Sequence, residues 1–118
     1  MRPETAAAVY DMSLASKRIS EAVANESAES FRSNWLVQSA VERQFGILGE
    51  ALVRIRELEE PVYDRFGEPE KIIGLRNILI HGYDAVDASV LWTIAKDRLP
   101  DLATFLEDLL VEAGGQGL

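Results

Sequence analysis

The chain has 118 residues, with 12 basic and 20 acidic side chains, a net charge of −8, one histidine and no cysteine. Its length suits one domain around a single core, and 47% apolar with 27% charged residues argues against disorder. Within this chain, the missing cysteine excludes disulfide scaffolds, thiolate zinc sites and cysteine nucleophiles, and the single histidine excludes a multi-histidine metal site.

The charge is unevenly spread. Residues 84–118 hold seven acids against two bases, while residues 61–83 hold three of each. A small anion site can exist in the neutral stretch, but a broad basic face cannot. No segment approaches the roughly 20 apolar residues of a membrane span. The start, Met-Arg-Pro-Glu-Thr, does not read as a secretory signal, so the expected location is cytoplasmic.

Helices are expected throughout. Val9, Met12, Ser16, Ile19 and Val23 repeat at spacings of three and four, which predicts a first helix over about residues 4–25. Residues 25–34 are polar and read as a loop or short turn. Asn34 can cap a second helix, whose inward stripe is Val37, Val41, Phe45, Leu48, Leu52 and Ile55, ending near Glu59. Gly46 and Gly49 interrupt that helix at a cost of about 1 kcal/mol each, which close helix–helix approach would compensate.

Pro61 and residues 66–69 punctuate the chain around one short helical turn. A third long helix is predicted from Pro69 to His81, with Gly82 as its stop. Asp87 can cap a fourth over 88–99, and Pro100 opens a segment over 100–113 that is either a kinked continuation or a separate helix. The glycine-rich residues 114–118 are expected to form a flexible tail. The expected fold is all-α: an up-and-down antiparallel bundle of four to five helices in one domain over residues 1–113.

Chemistry concentrates in Gly74-Leu75-Arg76-Asn77-Ile78-Leu79-Ile80-His81-Gly82-Tyr83-Asp84. On an ideal helix the isoleucines and leucines cover a wide arc, so burial over most of the circumference is expected. Asn77 and His81 share one stripe, where the amide could orient the imidazole. Arg76 lies about 140° from His81, among isoleucines, where a guanidinium needs a partner. The two could converge by bending of the arginine stem or by the packing of two copies of the helix.

Arginine plus histidine suits phosphodiester chemistry on RNA. An imidazole can take a proton from a ribose 2′-hydroxyl or give one to the leaving oxygen. A guanidinium can hold the phosphate and stabilise its developing charge. The structural alternative is equally concrete. His81 can be a dipole-favoured residue at a helix end, Arg76 an ion-pair partner of Glu50, and Tyr83 a packing residue.

Arg76-Asn77-x3-His81-Gly82-Tyr83 resembles the R-x4-H-x-Y signature of HepT-like proteins of the HEPN superfamily. The similarity extends through Gln38–Arg43, Ile47–Ala51, Lys71–Asn77, Tyr83–Asp87, Leu91-Trp92 and Leu99-Pro100-x-Leu102, roughly residues 8–110. The resemblance implies a homodimeric bundle whose arginine and histidine line a cleft between protomers. It implies metal-independent endoribonuclease activity, without a cofactor, and a toxin role in a type VII toxin–antitoxin pair acting on RNA such as tRNA. Arg76 and His81 would then be catalytic, with Asn77 in support. Tyr83 would be the residue to which an MntA-like nucleotidyltransferase antitoxin attaches AMP. Arg43, Arg54 and Arg56 are the basic side chains that could converge on such a cleft, or else form ion-paired surface. The acidic balance motivates a second reading, a non-catalytic nucleotide- or partner-binding subunit of a nucleotidyltransferase pair.

Overall fold

Small residues on the inward stripe of the first helix set how closely the bundle packs. Ala8, Ala15 and Ser16 are buried beside Val9, Met12, Ile19 and Val23, so the helix backbone can lie near its neighbour. The structure, a computed structural model, describes residues 1–82 and 86–115. Its elements are α1 (Pro3–Val23), α2 (Ala28–Ser33), α3 (Trp35–Leu58), α4 (Glu60–Tyr63), α5 (Pro69–His81), α6 (Ala88–Thr93), a π-helical turn (Ile94–Arg98) and α7 (Leu99–Gly115). No strand occurs among the described residues, and the chain is all-α as expected.

Helix α3 is the central element. Its stripe of Val41, Phe45, Leu48, Leu52 and Ile55 is buried, and it packs against α1 on one side and α5 on another. Helix α7 closes the core against α1 through Leu99, Leu106 and Leu109. The caps fall where the sequence places them. Asn34 accepts from the Val37 N–H at 3.3 Å, and Asp87 accepts from the Ser89 N–H at 2.7 Å.

Two boundaries differ from expectation, and the choice left open at Pro100 is decided for a continuation. The polar stretch before Asn34 contains the short helix α2, because Ser27 and Ser30 form a reciprocal capping box and Phe31 is buried beneath it. The segment around Pro100 is one continuous helix with α6. Its π turn, in which the Leu99 N–H reaches the Ile94 carbonyl, shifts the register where the proline ring would otherwise meet a carbonyl. Helix α7 runs on through Gly114 and Gly115, two residues past the expected boundary.

The link from α4 to α5 is strapped to the last helix. Arg65 makes a paired bridge to Glu112 at 2.7 and 3.0 Å, and Phe66 meets Phe105 edge-on at 4.9 Å. Glu68, in the left-handed region at φ 51°, precedes the first residue of α5, and its carboxylate bonds Arg98 at 2.8 Å and Lys71 at 3.1 Å. A left-handed non-glycine residue costs about 1–2 kcal/mol, which these contacts help to offset. Above the strap's inner side lies a groove of about 690 Å3 floored by Phe45, Leu48, Ile72, Leu75 and Phe105.

Hydrogen bonds from Arg98 and then Lys71 hold the Glu68 carboxyl below the ordinary carboxylate range. Arg65 does the same for Glu112, and the Arg2 backbone N–H for Glu59. A carboxyl whose folded value is depressed stabilises the fold while ionised. That contribution is complete above the unfolded value of about 4.3 and disappears as pH falls through the lower folded values. Thermal melts should therefore hold their midpoint down to about pH 5 and decline below it. A Glu68→Gln/Glu112→Gln double variant should melt lower near neutrality and decline less in acid; an acid decline as steep as the parent's would refute the assignment.

Candidate active site

Helix α5 carries the predicted chemistry, and its seating on α3 depends on Gly49. A Cβ at Gly49 would overlap the Arg76 Cβ, lie 2.8 Å from the Arg76 Cγ and 3.4 Å from the Ile72 carbonyl. The absent side chain therefore makes a seat for the aliphatic stem of Arg76. Close helix approach, expected at both interior glycines, occurs at Gly49 alone. A Cβ at Gly46 would meet nothing within 4 Å, because that position faces outward from α3.

With its stem lodged on α3, Arg76 is about one-quarter exposed, and its guanidinium emerges beside α3. Nη1 donates to Asn77 Oδ1 at 2.9 Å, and Nη2 lies 3.9 Å from Glu50 Oε1. The longer contact is an ion pair beyond hydrogen-bonding range. Nε is buried without an acceptor. Of five guanidinium donors, one is thus matched by a hydrogen bond, which leaves capacity for an incoming anion.

Asn77 is exposed and turns its amide oxygen to Arg76, so it does not orient the imidazole as its spacing from His81 suggested. His81, the last residue of α5, is exposed, and its imidazole makes no hydrogen bond or ion pair with any described residue. Gly82 ends the helix with its N–H on the Ile78 carbonyl at 2.7 Å. Arg76 and His81 stay on different sides of α5, since five residues carry the chain about 140° around and about 7.5 Å along a helix. Tyr83, the expected attachment residue, lies outside the described residues, as do Asp84 and Ala85.

The expectation that α5 is buried over most of its circumference does not hold within one chain. Ile73 is its one buried residue, while Ile78 and Ile80 are 45% and 38% exposed. The cause is that α5 packs mainly on α3, leaving the face with Asn77, Ile78 and His81 open.

The other basic candidates separate. Arg54 pairs with Asp11 at 2.9 Å and ties α3 to α1, and Arg56 lies over the Tyr63 ring at 5.8 Å. Arg43 is exposed, and its side chain makes no hydrogen bond, ion pair or ring contact with any described residue. Among the described residues no group of three or more His, Asp or Glu side chains is arranged to hold a metal ion. The groove between α5 and α7 is lined by neither Arg76, Asn77 nor His81. Sequence reading missed Trp35, which is 70% exposed at the start of α3; only its tertiary placement reveals this.

An all-helical bundle with an arginine and a histidine on one short helix defines a class that comparison makes specific. The family model described as "Ribonuclease HepT-like" matches residues 12–109, and the chain belongs to that family. It is 30% identical to "Putative RNase MJ1380" of Methanocaldococcus jannaschii over 101 residues, 84% of this chain and 90% of that protein. "Putative RNase MJ1216" of the same organism is 29% identical over 92 residues, 78% of this chain and 75% of that protein. No solved structure gives a significant match.

The seat at Gly49 is directly testable. Gly49→Ala gains about 1 kcal/mol of helix propensity and loses about 1–3 kcal/mol to overpacking against an unyielding stem. Its thermal midpoint should fall, whereas Gly46→Ala should gain stability. Equal gains for both would show that α5 is not seated through Gly49.

Proposed function

We propose that this chain is a metal-independent endoribonuclease, the toxin of a type VII HepT/MntA-like toxin–antitoxin pair in the cytoplasm. The observation that carries the reading is the Arg76 guanidinium, four of its five donors lacking a hydrogen bond, on the same short helix as an exposed His81. The family match and relatives named as RNases support it.

In this reading Arg76 binds the scissile phosphate and stabilises the extra negative charge as the phosphorus becomes five-coordinate. His81 takes the proton of the ribose 2′-hydroxyl, O2′ attacks phosphorus and the P–O5′ bond breaks. The 5′ oxygen leaves with a proton, and the other fragment ends in a 2′,3′-cyclic phosphate. His81 is the chain's single histidine, so a homodimer supplies a second imidazole for the second proton transfer. The two copies would also bring Arg76 and His81 together across the open face of α5. Glu50 balances the arginine while the site is empty, and Asn77 holds its guanidinium plane.

Silencing would occur at Tyr83. Its phenolic oxygen attacks the α-phosphorus of ATP in the nucleotidyltransferase, pyrophosphate leaves, and AMP remains two residues beyond His81. The added phosphate repels RNA from the cleft and blocks it sterically. The chain's net charge of −8 favours the alternative of a non-catalytic nucleotide- or partner-binding subunit, and one experiment separates the two.

Purified protein is incubated with tRNA and a long transcript in excess EDTA, and product ends and intact protein mass are read together. Wild type should cleave, His81→Ala should lose about 100-fold or more, and Arg76→Lys should lose a comparable factor with helicity retained. ATP binding by an unmodified chain that cleaves nothing would establish the binding-subunit reading instead. Attached AMP that disappears in Tyr83→Phe would identify the silenced form.

A further inference from the structure

Each of the twelve lysines and arginines has a described environment, and most are already engaged. Arg2, Arg54, Arg65, Lys71, Arg76 and Arg98 lie against carboxylates, while Arg56 and Lys96 lie over the Tyr63 and Trp92 rings. Lys17, Arg18, Arg32 and Arg43 make no such contact with any described residue. Two of these four, Arg32 and Arg43, bracket the first turns of α3.

Between them stands Trp35, 70% exposed. The chain's other tryptophan is half-buried against the core: Trp92 packs on Phe31 at 5.5 Å and is capped by Lys96 at 5.0 Å. Trp35 has no ring partner among the described residues, and no contact among them accounts for its exposure. On α3, Trp35, Ser39, Arg43, Gly46 and Glu50 fall within about 80° of one another, so they form one outward strip between α1 and α5. The strip runs about 22 Å along the axis and ends at Glu50, beside the Arg76 guanidinium. Gly46, midway, opens onto free space where another residue would raise a side chain. A helix-interior glycine with no helix packed against it is explained if an external chain passes close there.

We propose that this strip is a track for single-stranded RNA, in which the Trp35 indole stacks on a base and Arg32 and Arg43 hold flanking phosphates. The inference rests on the ribonuclease reading above and adds a substrate-binding segment to it. Stacking on an aromatic face is tolerant of sequence, because every base has a π surface. The two free guanidinium groups give an otherwise acidic molecule a local place for phosphate. Glu42 shares the edge of the strip, and with Glu50 it confines the positive field to the end near Trp35. A second copy of the chain is the rival occupant of an exposed tryptophan and glycine, and the free cations favour RNA over it.

The test compares six forms of the protein on a fluorescein-labelled, mixed-sequence single-stranded RNA, with each form's mass in solution measured alongside. In the His81→Ala background, which binds without cutting, Trp35→Ala should weaken binding by about tenfold, and Trp35→Phe should restore most of it. Arg43→Gln should weaken binding uniformly and lower the salt slope by about one. With the histidine intact, Trp35→Ala should raise KM and leave kcat near the parent value. Parent-like affinity and KM in Trp35→Ala would overturn the track while leaving the ribonuclease reading in place. A Trp35→Ala protein of lower mass would assign the strip to a contact between copies. A parent of unmodified intact mass that neither binds nor cleaves RNA would overturn both.

Discussion

The lodging of the Arg76 stem on Gly49 is the contact on which the site depends. A guanidinium is always charged, and sinking its stem between two helices is costly unless the head reaches water or a counter-charge. Here the missing Cβ lets α5 lie against α3, the stem fills the space and the head emerges beside Asn77 and Glu50. The same contact decides how α5 is rotated, and hence which face carries His81 into the open. Packing and site geometry are therefore one constraint.

The strap from Arg65 to Glu68 plays a complementary part. Helix α5 packs mainly on α3 and stands off from α7, which leaves the groove floored by Phe45, Ile72 and Phe105. Two ion pairs and an aromatic contact bridge that gap at the start of α5. The strained backbone at Glu68 aims one carboxylate at two cations. Exposed pairs of this kind contribute little individually. Their role is to locate the beginning of the site helix, while Gly49 locates its middle.

Charge pairing also bears on function. A net charge of −8 disfavours RNA, yet most of the cations are already matched inside the fold. Those left over are few, so their positions carry information that the total charge does not. Arg54 and Arg43, equivalent by sequence, part company because an α1 carboxylate, Asp11, lies within reach of Arg54 alone.

Periodicity and capping chemistry made much of the bundle legible from the sequence. The stripe from Val9 to Val23, the stripe from Val41 to Ile55 and the caps at Asn34 and Asp87 follow from local rules acting within a few residues. The Arg76-x4-His81 spacing was equally plain. The helix hidden in the serines before Asn34 was not, because two short hydroxyls read as loop until Phe31 has a core to enter. Nor could periodicity tell which side of an apolar α5 would be covered, or that the Asn77 amide would serve Arg76 rather than His81. Gly46 and Gly49 are the same residue three positions apart in the sequence. Only the tertiary structure made one a seat for arginine and left the other facing open space, because a helix turns about 300° between them and a single neighbour covers one side.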